Sequence, residues 1–407
     1  MSNIFLPKSK LIRDKTLTIS GSKSESNRLL ILQKLYGNIQ IENLSDSQDT
    51  QLLQSALGSS EEIIDIHHAG TAMRFLTSFF AIQESRTTIL TGSERMKQRP
   101  VKPLVEALLA LGAEIYYLEN PGFPPLKIVG KKLKNHRIKI DAGISSQFIS
   151  SLMMIGGKLE NGLEIELLGE ITSKPYLEMT LNLLTEIGIE SHFENSIIRI
   201  FPAKNLATKK LVIESDWSSA SYFYSACAIG REKISLRNFK QNSLQGDAFV
   251  AELYKNFFGI KTEFSDETIS LIPTEKFSKP EKISLDMNSC PDIVQTLCAT
   301  ASAMKIPFEI SGLKTLKIKE TDRLSALKNE LEKIGCITEI GDDFIKTKKF
   351  VEPQNEILIE TYDDHRMAMS FAPYCLAQPL TIENQQVIEK SYPKFWQDFA
   401  QILSPEN

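Results

Sequence analysis

Four glycines end amphipathic helical text at nearly equal intervals, and this regularity constrains the fold more than any other feature of the chain. They stand in Leu111-Gly112-Ala113-Glu114-Ile115, Ile187-Gly188-Ile189-Glu190, Phe258-Gly259-Ile260-Lys261 and Ile334-Gly335-Cys336-Ile337, spaced by 76, 71 and 76 residues. Glycine just past the last helical turn takes the left-handed backbone without a Cβ clash, so it stops a helix. Each of these stops leads directly into a strand-like run, and a fixed period of this kind signals a repeated supersecondary unit.

A second series of helices is predicted from Ser, Gly or Asp near a cap followed by small and apolar residues. Its members are Ser20 to Leu30, Ala69 to Phe79, Ile144 to Met154, Trp217 to Cys227, Cys290 to Thr300 and Asp363 to Ser370. Short β-branched runs between them predict strands at 87–90, 138–140, 163–167, 197–200, 211–213, 269–272 and 356–359. The alternation makes the fold class α/β (α+β), built from βαβαββ-like units. Six such units divide into two halves. The segment Glu214-Ser215-Asp216 follows a strand near the midpoint, and a second crossing near residue 19 returns the N-terminal strand to the second half. The expected domains are therefore 20–214, and 1–19 together with 215–407.

With 42% hydrophobic and 24% charged residues the chain reads as globular, and 47 basic against 51 acidic residues leave a net charge of −4. That balance argues against nucleic-acid or acidic-membrane partners, whose binding draws on a basic excess. The five cysteines form no C-x-x-C pair and read as reduced core residues; the five histidines lack ligand spacing, so no metal is expected. No signal-peptide core and no run of about 18 apolar residues is present, which gives a cytoplasmic expectation.

The positive charge is placed unusually. Lys23, Arg28, Arg74, Arg99, Lys319, Arg323 and Arg366 lie at or just inside predicted helix starts. A helix N-terminus carries roughly half a positive charge, so a cation there costs a few tenths of a kcal/mol unless an anion arrives. An anionic ligand is the simplest reason to accept that cost.

The segments differ in what they say alone. Ser20-Gly21-Ser22-Lys23-Ser24 fails the phosphate-loop pattern, because serine precedes the lysine and the upstream glycine is missing. Gly70 in Ala69-Gly70-Thr71-Ala72-Met73-Arg74 would admit a ligand close to the backbone, though a packing glycine explains it equally well. Arg99 suits bidentate anion capture better than Lys97. Before the helix that follows Lys319-Glu320-Thr321-Asp322-Arg323, Thr321 is a candidate cap and Asp322 complements the dipole. Asp292 is either a cap or, beside Glu320, one of a pair of acid and base groups. His365 in Asp363-Asp364-His365-Arg366 reads as structural, and Lys390 by itself means little.

Taken in order, these segments resemble the 5-enolpyruvylshikimate-3-phosphate (EPSP) synthase family. The resemblance runs from about Ser20 to Tyr392 and includes Gly21-Ser22-Lys23-Ser24, Ala69 to Arg74, Arg95 to Pro100, Ser145-Ser146-Gln147, Ser173-Lys174-Pro175-Tyr176, Lys319 to Arg323 and Asp364 to Met369. It implies a two-domain enolpyruvyl transferase fold, each domain of three βαβαββ units, with helix N-termini facing the interdomain cleft. It also implies transfer of an enolpyruvyl group from phosphoenolpyruvate to the 5-hydroxyl of shikimate 3-phosphate, without a cofactor. Small molecules would be the only partners, with no nucleic acid or membrane, and the chain would act as a monomer.

By that resemblance Lys23, Gly70, Arg99, Gln147, Arg323, Arg366 and Lys390 hold phosphoenolpyruvate. Lys23, Ser24, Arg28, Ser145, Ser146, Gln147, Ser173, Tyr176, Asp292 and Lys319 hold shikimate 3-phosphate. Asp292 is the implied base toward the hydroxyl, Glu320 the acid toward C3, and Lys23 a phosphate-stabilising catalytic cation. Three departures bear on substrate geometry and inhibitor response: His68 where the family pattern has asparagine, Phe75 where many members have proline, and Thr315 at a position often held by asparagine. The alternatives are transfer to UDP-N-acetylglucosamine, disfavoured because no cysteine precedes Cys227, and a non-catalytic anion-binding relative, disfavoured by the presence of Asp292 and Glu320.

Overall fold

A computed structural model describes residues 2–406. By its contacts the chain forms two compact units: Gly21–Ile213, and the residues up to Ser20 joined with those from Glu214 onward. The second unit needs its N-terminal piece, because strand Lys15–Thr18 lies parallel to Ile234–Arg237, with Lys15 opposite Ile234.

Four sheets share one topology. In Gly21–Ile213 the strand order is Ile63–Asp65, Thr87–Thr91, Leu126–Val129, Glu114–Tyr117 in one sheet, and Arg137–Asp141, Leu163–Leu168, Ile197–Ile200, Ser191–Glu194 in another. Each begins with a parallel pair and ends with an antiparallel hairpin. The other unit repeats this order with Lys15–Thr18, Ile234–Arg237, Thr268–Pro273, Ile260–Ser265, and again with Ile283–Asp286, Phe308–Ser311, Ile345–Phe350, Cys336–Ile340. A parallel pair requires a crossover; a helix supplies it in three of these sheets, and between Lys15–Thr18 and Ile234–Arg237 the chain passes through the whole unit Gly21–Ile213 before helix Trp217–Gly230. In the first sheet the crossover helix is Gly70–Ala81, and a second helix, Lys102–Ala110, precedes the hairpin. Smaller sheets pair Ile39–Glu42 with Lys209–Val212, and Ile4–Leu6 and Leu358–Ile359 with Leu380–Ile382.

The helix stops form as their sequence requires. Gly112, Gly188, Gly259 and Gly335 all have φ between 64° and 98°. The predicted second series also forms, as Lys23–Tyr36, Gly70–Ala81, Ser146–Gly156, Trp217–Gly230, Val294–Ala303 and His365–Phe371. These six are buried on nearly all sides, which explains their small residues. Within Gly21–Ile213, Ser151 Oγ donates to Arg74 O (2.7 Å) and lies 2.6 Å from the Ser78 hydroxyl, tying two of them together. In the other unit the hydroxyls of Ser221, Thr296 and Ser370 lie 3.2 and 3.1 Å apart in series, linking three helices. All five cysteines are buried and free.

Candidate active site

In each unit the N-terminal ends of three buried helices converge, and part of the candidate set sits at those ends while the rest comes from neighbouring helices and turns. Within Gly21–Ile213 the helix starting at Lys23 is capped by Ser22, whose Oγ accepts from Glu25 N. Lys23 Nζ lies 3.2 Å from Asp49 Oδ2, and His68 Nε2 lies 3.8 Å from Asp49 Oδ1. The next helix begins at Gly70, where a Cβ would stand 2.5 Å from Arg99 Nη1 and 3.0 Å from Arg74 Nη1. Glycine there leaves room for the present positions of two guanidinium groups and does not answer a positive φ. Gln147 Nε2 donates to Thr71 Oγ1 (3.3 Å), which joins the third helix to the second, and Ser145 caps that third helix. Ser146 is buried beside it.

Arg28 and Arg74 answer their helix positions differently from the expectation of a waiting anion. Arg28 is 2% exposed and donates to Thr180 Oγ1 (2.7 Å), Ser24 O (3.0 Å), Ser150 Oγ (3.1 Å) and Tyr176 O (3.4 Å). Its guanidinium also lies over the rings of Phe75 and Tyr176. Burial pushes it down to about 10. Arg74 donates to Gly70 O (2.9 Å) and Pro100 O (3.3 Å). Carbonyl and hydroxyl oxygens thus meet several of the guanidinium donors within the protein itself. Ser173, with φ 54°, sits at the cap position of the helix that carries Tyr176.

In the second unit the candidates form one ionic cluster. Asp292 Oδ1 lies 3.0 Å from Arg323 Nη1 and 3.3 Å from Lys319 Nζ, and its Oδ2 lies 3.4 Å from Arg366 Nη2. Arg366 Nη1 also donates to Asp292 O (2.7 Å). Glu320 meets Arg323 Nη2 and Lys390 Nζ, each at 2.8 Å. Arg323, 2% exposed, is completed by the fully buried Asp364, with Nε to Oδ2 at 2.6 Å. Burial alone would raise the Asp292 carboxyl, but Arg366, Lys319 and Arg323 together hold it well below the usual carboxylate range.

The caps differ in detail from the sequence reading. Asp322, not Thr321, caps Arg323–Lys333, accepting from Leu324 N and Ser325 N at 3.1 Å. Asp364 caps His365–Phe371 through Arg366 N (2.8 Å) while also pairing with Arg323. Asp292 lies in the short turn Pro291–Ile293 and caps nothing there, which leaves its carboxylate for the cations.

Two acids in these clusters escaped the sequence reading. Asp49 was hidden in an ordinary helix start, Ser47-Gln48-Asp49, 26 residues from the lysine it meets. Asp247 accepts a short hydrogen bond from Ser218, whose Oγ in turn receives Arg366 Nη2 (3.4 Å). Burial and then the charge of Asp292 push Asp247 up to about 6. Among the described residues no group of three or more His, Cys, Asp or Glu is arranged for a metal ion.

The geometry has close relatives. A sequence model of EPSP synthase (3-phosphoshikimate 1-carboxyvinyltransferase) matches residues 52–399. A 3-phosphoshikimate 1-carboxyvinyltransferase of Bacteroides fragilis is 42% identical over 94% of each chain, and one of Haemophilus influenzae is 37% identical over 95% of this chain and 96% of its own. Solved structures share the fold: an EPSP synthase from Acinetobacter baumannii (TM-score 0.74, 20% identity, 99% of both chains) and the enolpyruvyl transferase NikO from Streptomyces tendae (TM-score 0.73, 13% identity, 99% of this chain and 98% of that one). With converging helix ends, a cation-ringed acid pair and kinship over nearly the whole length, the chain belongs to the EPSP synthase family.

Proposed function

We propose that this chain transfers the enolpyruvyl group of phosphoenolpyruvate to the 5-hydroxyl of shikimate 3-phosphate and releases inorganic phosphate, a step of aromatic amino-acid biosynthesis. One observation carries the mechanism: Asp292 and Glu320 share Arg323, while Lys319, Arg366 and Lys390 close around them. Both substrates are multiply anionic, and such a cluster offers them charge-assisted hydrogen bonds in a fixed array.

Lys23, Gly70, Arg99, Gln147, Arg323, Arg366 and Lys390 are assigned to phosphoenolpyruvate. Lys23, Ser24, Arg28, Ser145, Ser146, Gln147, Ser173, Tyr176, Asp292 and Lys319 are assigned to shikimate 3-phosphate. Glu320 gives a proton to C3 of the donor, the 5-hydroxyl oxygen bonds to C2, and Asp292 takes the hydroxyl proton. The tetrahedral ketal phosphate then loses its C3 proton to Glu320 as the C2–O bond to phosphate breaks. Lys23 and Lys390 stabilise the phosphate charge as it develops.

Asp292 held low by three cations is a poor base. Substrate anions that draw those cations toward themselves raise its basicity when the hydroxyl proton must be accepted.

A phosphate-release assay with the two substrates tests this reading. Release with shikimate 3-phosphate and none with UDP-N-acetylglucosamine is expected; the reverse result overturns it. A cytoplasmic monomer with only small-molecule partners completes the proposal. No helix among the described residues is long and apolar enough to cross a membrane, and a dimer in sedimentation at micromolar concentration would count against the monomer.

A further inference from the structure

Asp49 is 3% exposed, yet its two oxygens face different partners: Lys23 Nζ at 3.2 Å and His68 Nε2 at 3.8 Å. The carboxylate stands in the first turn of helix Gln48–Gly58, whose cap Ser47 accepts from Thr50 N, so the helix end favours its charge. Lys23 stands in the first residue of its own helix, where the same effect disfavours an ammonium. The pairing with Asp49 offsets that cost. The segment that carries His68 is fixed in turn, because Asp65 Oδ1 accepts from His67 N (2.7 Å) and holds His67 at φ 47°.

Resting on the functional reading above, we propose that Asp49 and His68 are positioning residues that deliver Lys23 to the substrate phosphate. Asp49 holds the ammonium in place before the anion binds. When Lys23 turns its charge to the anion, a buried carboxylate would be left uncompensated, at considerable cost. His68 reaches the other oxygen of Asp49, and as an imidazolium it takes over the neutralising role. The exchange Lys23–Asp49 for His68–Asp49 lowers the cost of committing Lys23 to the ligand. Two residues beyond His68 lies Gly70, beside Arg99 and Arg74, so the histidine sits at the same helix ends as the anion-binding candidates.

The test is the pH dependence of the KM for phosphoenolpyruvate in wild type and His68→Asn. The other charged groups near this end include Lys23, Glu25, Arg28, Asp46, Asp49, Asp65, His67, Arg74 and Arg99, and all are common to both proteins. Titration of the substrate itself cancels in the ratio. The variant-to-wild-type KM ratio is expected to be about ten at pH 6 and to approach one at pH 8.5. In an Asp49→Asn background the His68→Asn change is expected to have no further effect, because the histidine acts through that carboxylate. A ratio that does not vary with pH, or a His68→Asn effect that survives in Asp49→Asn, overturns the proposal.

A wild type that releases no phosphate sinks the functional reading instead. Calorimetric binding of inorganic phosphate to wild type and His68→Asn at the two pH values then decides the proposal. The same pattern of ratios supports it, and equal affinities or no binding reject it.

Discussion

Lys390 and Glu320, 70 residues apart, meet at 2.8 Å through Nζ and Oε1, and the opposite oxygen of the same carboxylate receives Arg323 at 2.8 Å. A carboxylate gripped on both oxygens by cations proposed to bind substrate is, on that reading, coupled to occupancy. Any anion that draws Lys390 or Arg323 away changes the proton affinity of Glu320 in the direction that an acid toward C3 requires.

Removal of either proposed proton-transfer group is expected to separate binding from chemistry. Asp292→Ala and Glu320→Ala should each lower turnover at least about a hundredfold while leaving measurable substrate binding, the usual scale for general acid–base groups. Steady-state phosphate release with calorimetric titration of shikimate 3-phosphate checks this. Wild-type turnover in either variant removes that residue from its role.

Gly70→Ala places a methyl group 2.5 Å from Arg99 Nη1. The guanidinium can move where backbone could not, so the expected cost falls on ligand geometry more than on folding. KM for phosphoenolpyruvate should rise about tenfold with a change of only a few degrees in Tm. An unchanged KM would show that Arg99 does not need its present position.

Asp364→Ala leaves Arg323, 2% exposed, without its most buried partner and also removes the cap of His365–Phe371. Loss of one member of a buried ion pair typically costs about 3–5 kcal/mol. Denaturant unfolding should register a loss of that order. A loss below about 1 kcal/mol would mean that Asp292 and Glu320 suffice for Arg323.

Asp247 gives the fold a pH dependence of known sign. Burial raises its carboxyl from 3.8 to about 6, so the folded state binds the proton more tightly than the unfolded chain. Its contribution is unfavourable above about pH 6 and is relieved as pH falls toward 4. Asp247→Asn keeps an acceptor for Ser218 and should therefore gain roughly 1–3 kcal/mol over wild type at pH 8, with the gain vanishing near pH 4. Thermal unfolding across that range checks it; a difference independent of pH would exclude Asp247 as the source.

Gln295 is fully buried, and neither polar atom of its side chain finds a hydrogen-bond partner among the described residues. Gln295→Met keeps the volume and removes the desolvated amide. It should be neutral or stabilising by about 1–3 kcal/mol in denaturant unfolding. Destabilisation would reveal an internal partner for the amide.

The helix series, the strand runs and the four glycine stops were legible in the sequence because each depends on residues within one or two turns. So was the list of cations at helix starts. The reason for tolerating them was only half visible. Arg28 and Arg74 turn onto carbonyls four residues behind, which no composition argument anticipates, since many helical arginines point to solvent instead. Thr321 and Asp322 were equivalent as text, and local geometry chose Asp322.

What the chain determined by itself was its period, its four helix stops, the positions of six buried helices and seven strands, and the supply of acid, base and cation, because backbone preference and burial pattern act over short sequence distances. Only the tertiary structure decided which acid answers which cation: Asp49 for Lys23 across 26 residues, Asp364 for Arg323 across 41, Glu320 for Lys390 across 70. Electrostatic partnership falls off with distance through space and carries no signature along the chain, so folding had to bring the helix ends together before the charges acquired meaning.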